Sequence, residues 1–281
     1  MPFEPSSTSL STTTGRNSSR AWNKPFLKIG HGGAAGHTLA NTLHSLTLAL
    51  KMGVDVVEFD VRPCRDALVL LHDDSLAKFH NPKGLASQST LAELRALDVD
   101  PSRQIATLTE ALDLLKGRSL INIDLKAAGY ESAVLDVVRT KGLSSEVIYS
   151  SVIPSSLSRI RQEQPDAMIG LSYPEDRGDA SGKPYLQPVV NSVVAAMRFT
   201  LPYRMLSMMS KAHANAVMLY HKVVSSSVIQ IVQRADGKVF TWTVDDPVRM
   251  RALYAQGVNG ITTNYPDMFD SIHELSININ S

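Results

Sequence analysis

From Phe26 onward the chain alternates short apolar runs with longer segments whose apolar positions recur at helical spacing, the pattern of repeated βα units around a parallel sheet. The runs predict strands at Leu27–His31, Val56–Val61, Ala67–His72, Ser119–Leu125, Val147–Ser150, Ala167–Leu171, Ala216–Tyr220, Val239–Val244 and Gly260–Thr263. Helical periodicity predicts Leu39–Lys51, Thr107–Lys116, Glu131–Lys141, Ser226–Arg234 and Pro247–Gln256. The last has clear punctuation: Asp245 and Asp246 offer an N-cap, Pro247 suits a first turn, and Gly257 supplies the stop. This alternation predicts an α/β fold, a (β/α)8 TIM barrel, which takes roughly 250 residues as one unit. Nine candidates compete for eight places, so one strand near Ala167 or Ala216 is expected outside the barrel; buried parallel strands read as plain apolar runs, which periodicity does not rank.

Two segments break the pattern. Residues 1–22 are rich in Ser and Thr and poor in large apolar side chains, so a disordered tail is expected before a single barrel domain at 23–281. Residues 173–210 are expected to form an insertion, a polar loop and then an apolar helical cap, Val189–Met209, split in two by Pro202. Its methionines read first as ordinary core; the second reading is peripheral contact with a membrane or an acyl chain. The formal net charge of +1 provides no overall field for nucleic acid, so anion recognition has to be local. A single cysteine, Cys64, and the lack of an apolar leader or membrane-length span lead us to expect a cytoplasmic protein. The oligomeric state is not legible.

A barrel enzyme draws its chemistry from the carboxyl ends of its strands. Here those ends carry His31 followed by two glycines, Glu58 and Asp60, His72, and Asp124 with Lys126. Glu58 and Asp60, two apart in VVEFDV, point to one face of a strand, where two buried carboxylates repel unless a cation joins them. Adding Asp124 gives an all-oxygen set suited to Mg2+, Ca2+ or Mn2+. Lys126 shares the face of Asp124 and is a candidate for a substrate phosphate, or for a buried ion pair. His31 and His72 are candidates for an acid/base pair, because imidazole exchanges protons near neutral pH. Asn41 and the glycines after His31 offer amides near an anion. The other histidines read as surface or hydrogen-bonded positions.

The segments IGHGGAAGHTLANTL, GVDVVEFDVRPCRDALVLLHDDSL, INIDLK and VFTWTVDDPVRMRALYAQGVNGITTNYPD, in this order and spacing, resemble the glycerophosphodiester phosphodiesterase family. The resemblance runs from about Lys28 to Phe269, leaving out the tail and residues 173–209. It implies a TIM barrel, a divalent metal on Glu58, Asp60 and Asp124, His31 and His72 as acid and base, and Lys126 at the phosphate. The implied substrates are glycerophosphodiesters, cleaved to glycerol 3-phosphate and an alcohol. Lys126, Arg62, Gly32, Asn41 and Trp242 are the expected substrate contacts.

Three positions depart from the family pattern. Gly32 stands where an arginine is usual, with Arg62 the candidate replacement; Ala40 stands where a Pro-Glu-Asn-Thr run has its glutamate; and Asp124 replaces a glutamate. The last change is similar to phospholipase D toxins, so lipid phosphodiester cleavage, on lysophospholipids or sphingolipids, is the alternative activity. A silent phosphate-binding barrel is the alternative from another class.

Overall fold

The structure is a computed structural model and describes residues 22–270 and 272, apart from 82, 98, 99, 101 and 176–186. Its strands are β1 Leu27–Gly30, β2 Val56–Pro63, β3 Leu68–Leu70, β4 Leu120–Leu125, β5 Val147–Ser151, β6 Met168–Tyr173, β7 Ala216–Tyr220, β8 Lys238–Trp242 and β9 Gly260–Thr263. All but β3 are parallel neighbours in the order β1-β9-β8-β7-β6-β5-β4-β2, and β1 pairs with both β9 and β2, which closes the barrel. The helices are α1 Leu43–Lys51, α2 Leu91–Arg95, α3 Leu108–Leu115, α4 Glu131–Lys141, α5 Pro154–Glu163, α6 Gln187–Ala212, α7 Ser226–Arg234 and α8 Pro247–Ala255.

The strand outside the barrel is not one of the two expected. Both β6 and β7 are barrel staves, and the extra strand is β3, which runs antiparallel to β2 with Val61 opposite Leu70. The reason is chain length. A parallel crossover needs a dozen or more residues, whereas only a tight connection, tied by Cys64 N–H to the Ala67 carbonyl at 2.8 Å, joins β2 to β3.

Along the inward-facing positions the strands change character at a common level. Leu27, Ile29, Val56, Leu120, Ile148, Ala216, Met218 and Phe240 form an apolar barrel interior. Two residues further along the same faces come His31, Glu58, Asn122, Ser150 and Trp242, because strand side chains alternate with period two. The apolar layers therefore act as the floor of a polar cup that opens at the carboxyl ends of the strands.

Trp22, expected to end a disordered tail, belongs to that floor. It is 6% exposed, packs with the interior cluster, and its indole N–H reaches the Ser145 carbonyl at 3.3 Å. A large aromatic side chain regains in burial what the ordering of its backbone costs; the rest of the Ser/Thr-rich segment, 1–21, lies outside the described residues.

Nor does Pro202 divide the apolar segment. Gln187–Ala212 is one helix containing Pro202, and it is the crossover from β6 to β7 that the barrel plan requires. Pro202 is only part-buried, so a carbonyl deprived of its partner there can be solvated. Leu201, Met205 and Met209, spaced four apart, pack this helix onto the outer core with Val217, Leu219 and Val228. That supports core packing for the methionines at 205 and 209.

Replacing Trp22 with Ala is expected to cost about 3–5 kcal/mol of unfolding free energy, as for other large-to-small changes in a packed core. Urea denaturation of the two proteins checks it; an unchanged midpoint would mean that the floor closes without this residue.

Candidate active site

The cup is a cavity of about 750 Å3 with two unlike halves. His31, Glu58, Arg62, His72, Asp124 and Lys126, from the first four strands and their exits, line the charged half. Val152, Pro174, Met218 and Trp242, at or just beyond β5 to β8, give the other half an apolar surface, with Ser172, Glu175 and Thr243 among them. The Trp242 indole is held in place by its N–H on the Met218 carbonyl at 2.8 Å.

Register explains the carboxylates. β2 and β4 pair with Asp60 beside Asp124, and β4 and β5 with Asp124 beside Ser150, so these side chains form one row. Glu58, Asp60 and Asp124 are all buried, and each offers an oxygen within 4.8 Å of the others. Their other contacts fix them: the Gly32 N–H donates to Glu58 Oε2 at 2.8 Å, Asn41 Nδ2 donates to Asp60 Oδ2 at 2.8 Å, and the Ser150 hydroxyl lies 2.6 Å from Asp124 Oδ1. Lys126 Nζ sits between two of them, 2.9 Å from Asp60 Oδ1 and 2.5 Å from Asp124 Oδ2.

This set fits a hard divalent cation. Three ionised carboxylates and one ammonium leave two negative charges in a buried site, and every donor is oxygen. The proton equilibria show the imbalance. Burial and then the Asp60 charge push Glu58 up to about 7, while Asp60, despite burial, is drawn down to about 2 by Lys126 and the two histidines. Burial works against the Lys126 ammonium, but Asp124 and Asp60 outweigh it and raise its pKa.

His31 is held from the far end of the chain. Its Nδ1 lies 2.7 Å from Asn264 Oδ1, and the Asn264 amide is itself oriented by Nδ2 donating to Asp245 Oδ2 at 2.6 Å. With the amide fixed that way, Nδ1 must carry the proton, leaving Nε2 for the cavity. Burial lowers the His31 pKa, but Glu58, Asp60 and the Asn264 contact more than offset it, and the net shift is upward. His72, more exposed, places Nδ1 2.7 Å from Asp73 Oδ1, and Asp73 in turn pairs with Lys78 at 2.7 Å. Both rings thus keep Nε2 uncommitted.

Among the remaining expected contacts, Arg62 lies on the cavity wall with Nε on the His72 carbonyl at 2.7 Å. Gly32 and Asn41 sit behind the carboxylates: both buried, neither lining the cavity, they orient Glu58 and Asp60. Gly32 has φ +51, and a Cβ there would come within 2.9 Å of the Ala40 Cβ. The two departures from the family pattern are therefore neighbours in space. Asp245, read as a cap, is the anchor of Asn264, while Asp246 caps α8 through Val248 N–H at 2.7 Å. Ser150 and Asn264 carried no signal in the sequence, since each acts through a partner brought in by the fold, whereas Asp73 stands directly beside His72 at the strand end. His221 is held down to about 4 by burial, Arg249 and Lys222, which leaves it neutral at physiological pH.

A family model for the "Glycerophosphoryl diester phosphodiesterase family" matches residues 31–268, the span that contains every one of these site residues. The chain belongs to this family. Among curated glycerophosphodiester phosphodiesterases, one from Caldanaerobacter subterraneus is 25% identical over 255 residues, 86% of this chain and 95% of the relative. One from Bacillus subtilis is 24% identical over 273 residues, 88% and 86%. The solved structure of an Oleispira antarctica phosphodiesterase in complex with the product sn-glycerol-3-phosphate superposes with a TM-score of 0.72 at 22% identity, covering 88% of this chain and 96% of that one. In this glycerophosphodiester phosphodiesterase family member the matched span also runs across α6.

Because the folded-state pKa of Glu58, about 7, exceeds its ordinary 4.5, the folded metal-free protein binds more protons than the unfolded chain between those values. Its stability should therefore fall as pH rises through that window. Thermal melts in chelator across the window check this: Glu58→Gln should flatten the slope, and an identical slope in the variant would assign it to another group.

Proposed function

We propose that the chain hydrolyses glycerophosphodiesters to glycerol 3-phosphate and an alcohol. The observation that carries this reading is the convergence, in one cavity, of two histidines with uncommitted Nε2 atoms on a buried carboxylate cluster bridged by Lys126. Family membership supplies the reaction class; the curated relatives named above carry that activity in their names.

The residues divide the work. Glu58, Asp60 and Asp124 would hold the divalent metal; Mg2+, Ca2+ and Mn2+ are the candidates for this oxygen set. Bound there, such an ion supplies Lewis-acid stabilisation of a phosphoryl oxygen. Lys126 adds a fixed positive charge beside the phosphate, and Arg62 at the rim supplies a second, in the absence of an arginine at Gly32. One of His31 and His72 removes the proton of the attacking water from its Nε2 side, and the other protonates the departing alkoxide. The Asn264 and Asp73 contacts hold each ring in the tautomer this requires. The apolar wall of Val152, Met218 and Trp242 accommodates the organic part of the diester, across the cavity from the carboxylate cluster.

That wall is also the observation that favours a second reading, cleavage of lysolipids, whose acyl chain needs apolar surface. Running both substrates in one assay separates the two.

Purified protein stripped with chelator should lose turnover of glycerophosphocholine and regain it with one of the three ions; cleavage of lysophosphatidylcholine alone would move the assignment to the lipid. His31→Ala and His72→Ala should each lower kcat by about a hundredfold to ten-thousandfold, the usual range for acid/base groups. Near-wild-type rates in either would remove that residue from the reaction. Trp242→Ala should raise KM more than it lowers kcat, and a pure kcat effect would argue against the wall as a binding surface.

A further inference from the structure

α6 is out of proportion to its task. Among the described residues every other helix between barrel strands spans 11 residues or fewer, whereas Gln187–Ala212 spans 26, about 39 Å at 1.5 Å per residue. The strands it connects, of five and six residues, rise only about 20 Å. Its carboxyl half is the part that packs: Leu201, Met205, Met209 and Ala212 are buried, while the described side chains before Leu201 are exposed except for the part-buried Val194 and Met197. The helix begins after the carboxyl end of β6, whose exit residue Pro174 lines the cavity, so its surplus turns lie on the face where the cup opens.

The exposed surface of this helix is unusual in two ways. Phe199 and Tyr203 are 75% and 82% exposed, with ring centroids 6.4 Å apart, and Val189, Val193 and Leu206 are exposed with them. The only charged residues between 187 and 212 are Arg198, Arg204 and Lys211, all exposed and all basic. Among the described residues no helix is long and apolar enough to cross a membrane. Aromatic and aliphatic side chains flanked by cations, without one acid, have the composition of a helix that lies in a lipid interface and is drawn to negative headgroups.

We propose that the α6 surface around Phe199 and Tyr203 docks the protein on an anionic lipid surface, with the mouth of the cavity turned toward the bilayer. The aromatic pair enters the headgroup region, and Arg198 and Arg204 meet the lipid phosphates. The occupant is chosen by charge: a second copy of the helix would bring these cations against one another. Docking is independent of the reaction, since no residue of the surface belongs to the cavity.

The test is sedimentation of the full chain with sucrose-loaded vesicles, of phosphatidylcholine alone or with phosphatidylglycerol. Binding is expected only with the anionic lipid, weakening with salt. The pairs Phe199→Ser with Tyr203→Ser, and Arg198→Gln with Arg204→Gln, should each lower affinity at least about tenfold, with hydrolysis of glycerophosphocholine unchanged as the check on folding. A Phe199→Trp variant gives an independent gain of signal, a blue shift in emission on adding the anionic vesicles. Absence of sedimentation, equal binding to neutral vesicles, or affinity indifferent to both pairs of substitutions would overturn the proposal. So would a dimer in light scattering that the Phe199/Tyr203 pair disrupts without any binding to vesicles, which would give the surface to a second copy.

Discussion

Mutual repulsion of three carboxylates in the mouth of a closed barrel is the constraint around which the site is organised. Glu58, Asp60 and Asp124 are brought together by strand register, in the one place where water cannot screen them well. Each neighbouring residue answers that problem: the Lys126 ammonium bridges two of them, the Gly32 amide and the Asn41 side chain donate to oxygens that would otherwise repel, and His31 gains proton affinity from the surplus charge. The ring of strands supplies the rigidity that keeps the charges from moving apart. A cluster so loaded is prepared for an added dication and an anionic phosphoryl group, because it is already short of positive charge.

Much of this was readable before any coordinates. The carboxylates, Lys126 and both histidines stand out because strand alternation has a short, strict period: an ExD or DxK pair on an apolar run has only one face to share. What stayed hidden depends on contacts across the barrel. Asn264 lies 233 positions from His31, and Asp245 looked like a helix cap because an aspartate before a proline is one in most settings. Gly32 and Asn41, expected as substrate contacts, lie one layer behind the cavity wall. The odd strand is not marked by its apolar run but by the length of chain before it: the few residues from Val61 to Leu68 rule out a parallel crossover.

The departures from the family pattern become coherent in space. Gly32 and Ala40 face each other closely enough that a side chain on the first would displace the second, so the two small residues form a single local feature. Positive charge in the charged half of the cavity comes from Lys126 and Arg62, which approach from β4 and β2, and from Lys78, paired with Asp73. Asp124 remains within reach of the other acids despite its shorter side chain, with Ser150 and Lys126 holding its two oxygens.

The tie between His31 and Asn264 also sets an order of events. The histidine is made among the first residues of the domain, yet the amide that selects its tautomer is held by Asp245 and follows directly on β9, the strand whose pairing with β1 closes the ring. A nascent or partly unfolded chain can carry every acid of the first four strands and still present an unoriented imidazole. The orientation of this imidazole is therefore a property of the closed barrel and not of the strand that carries it.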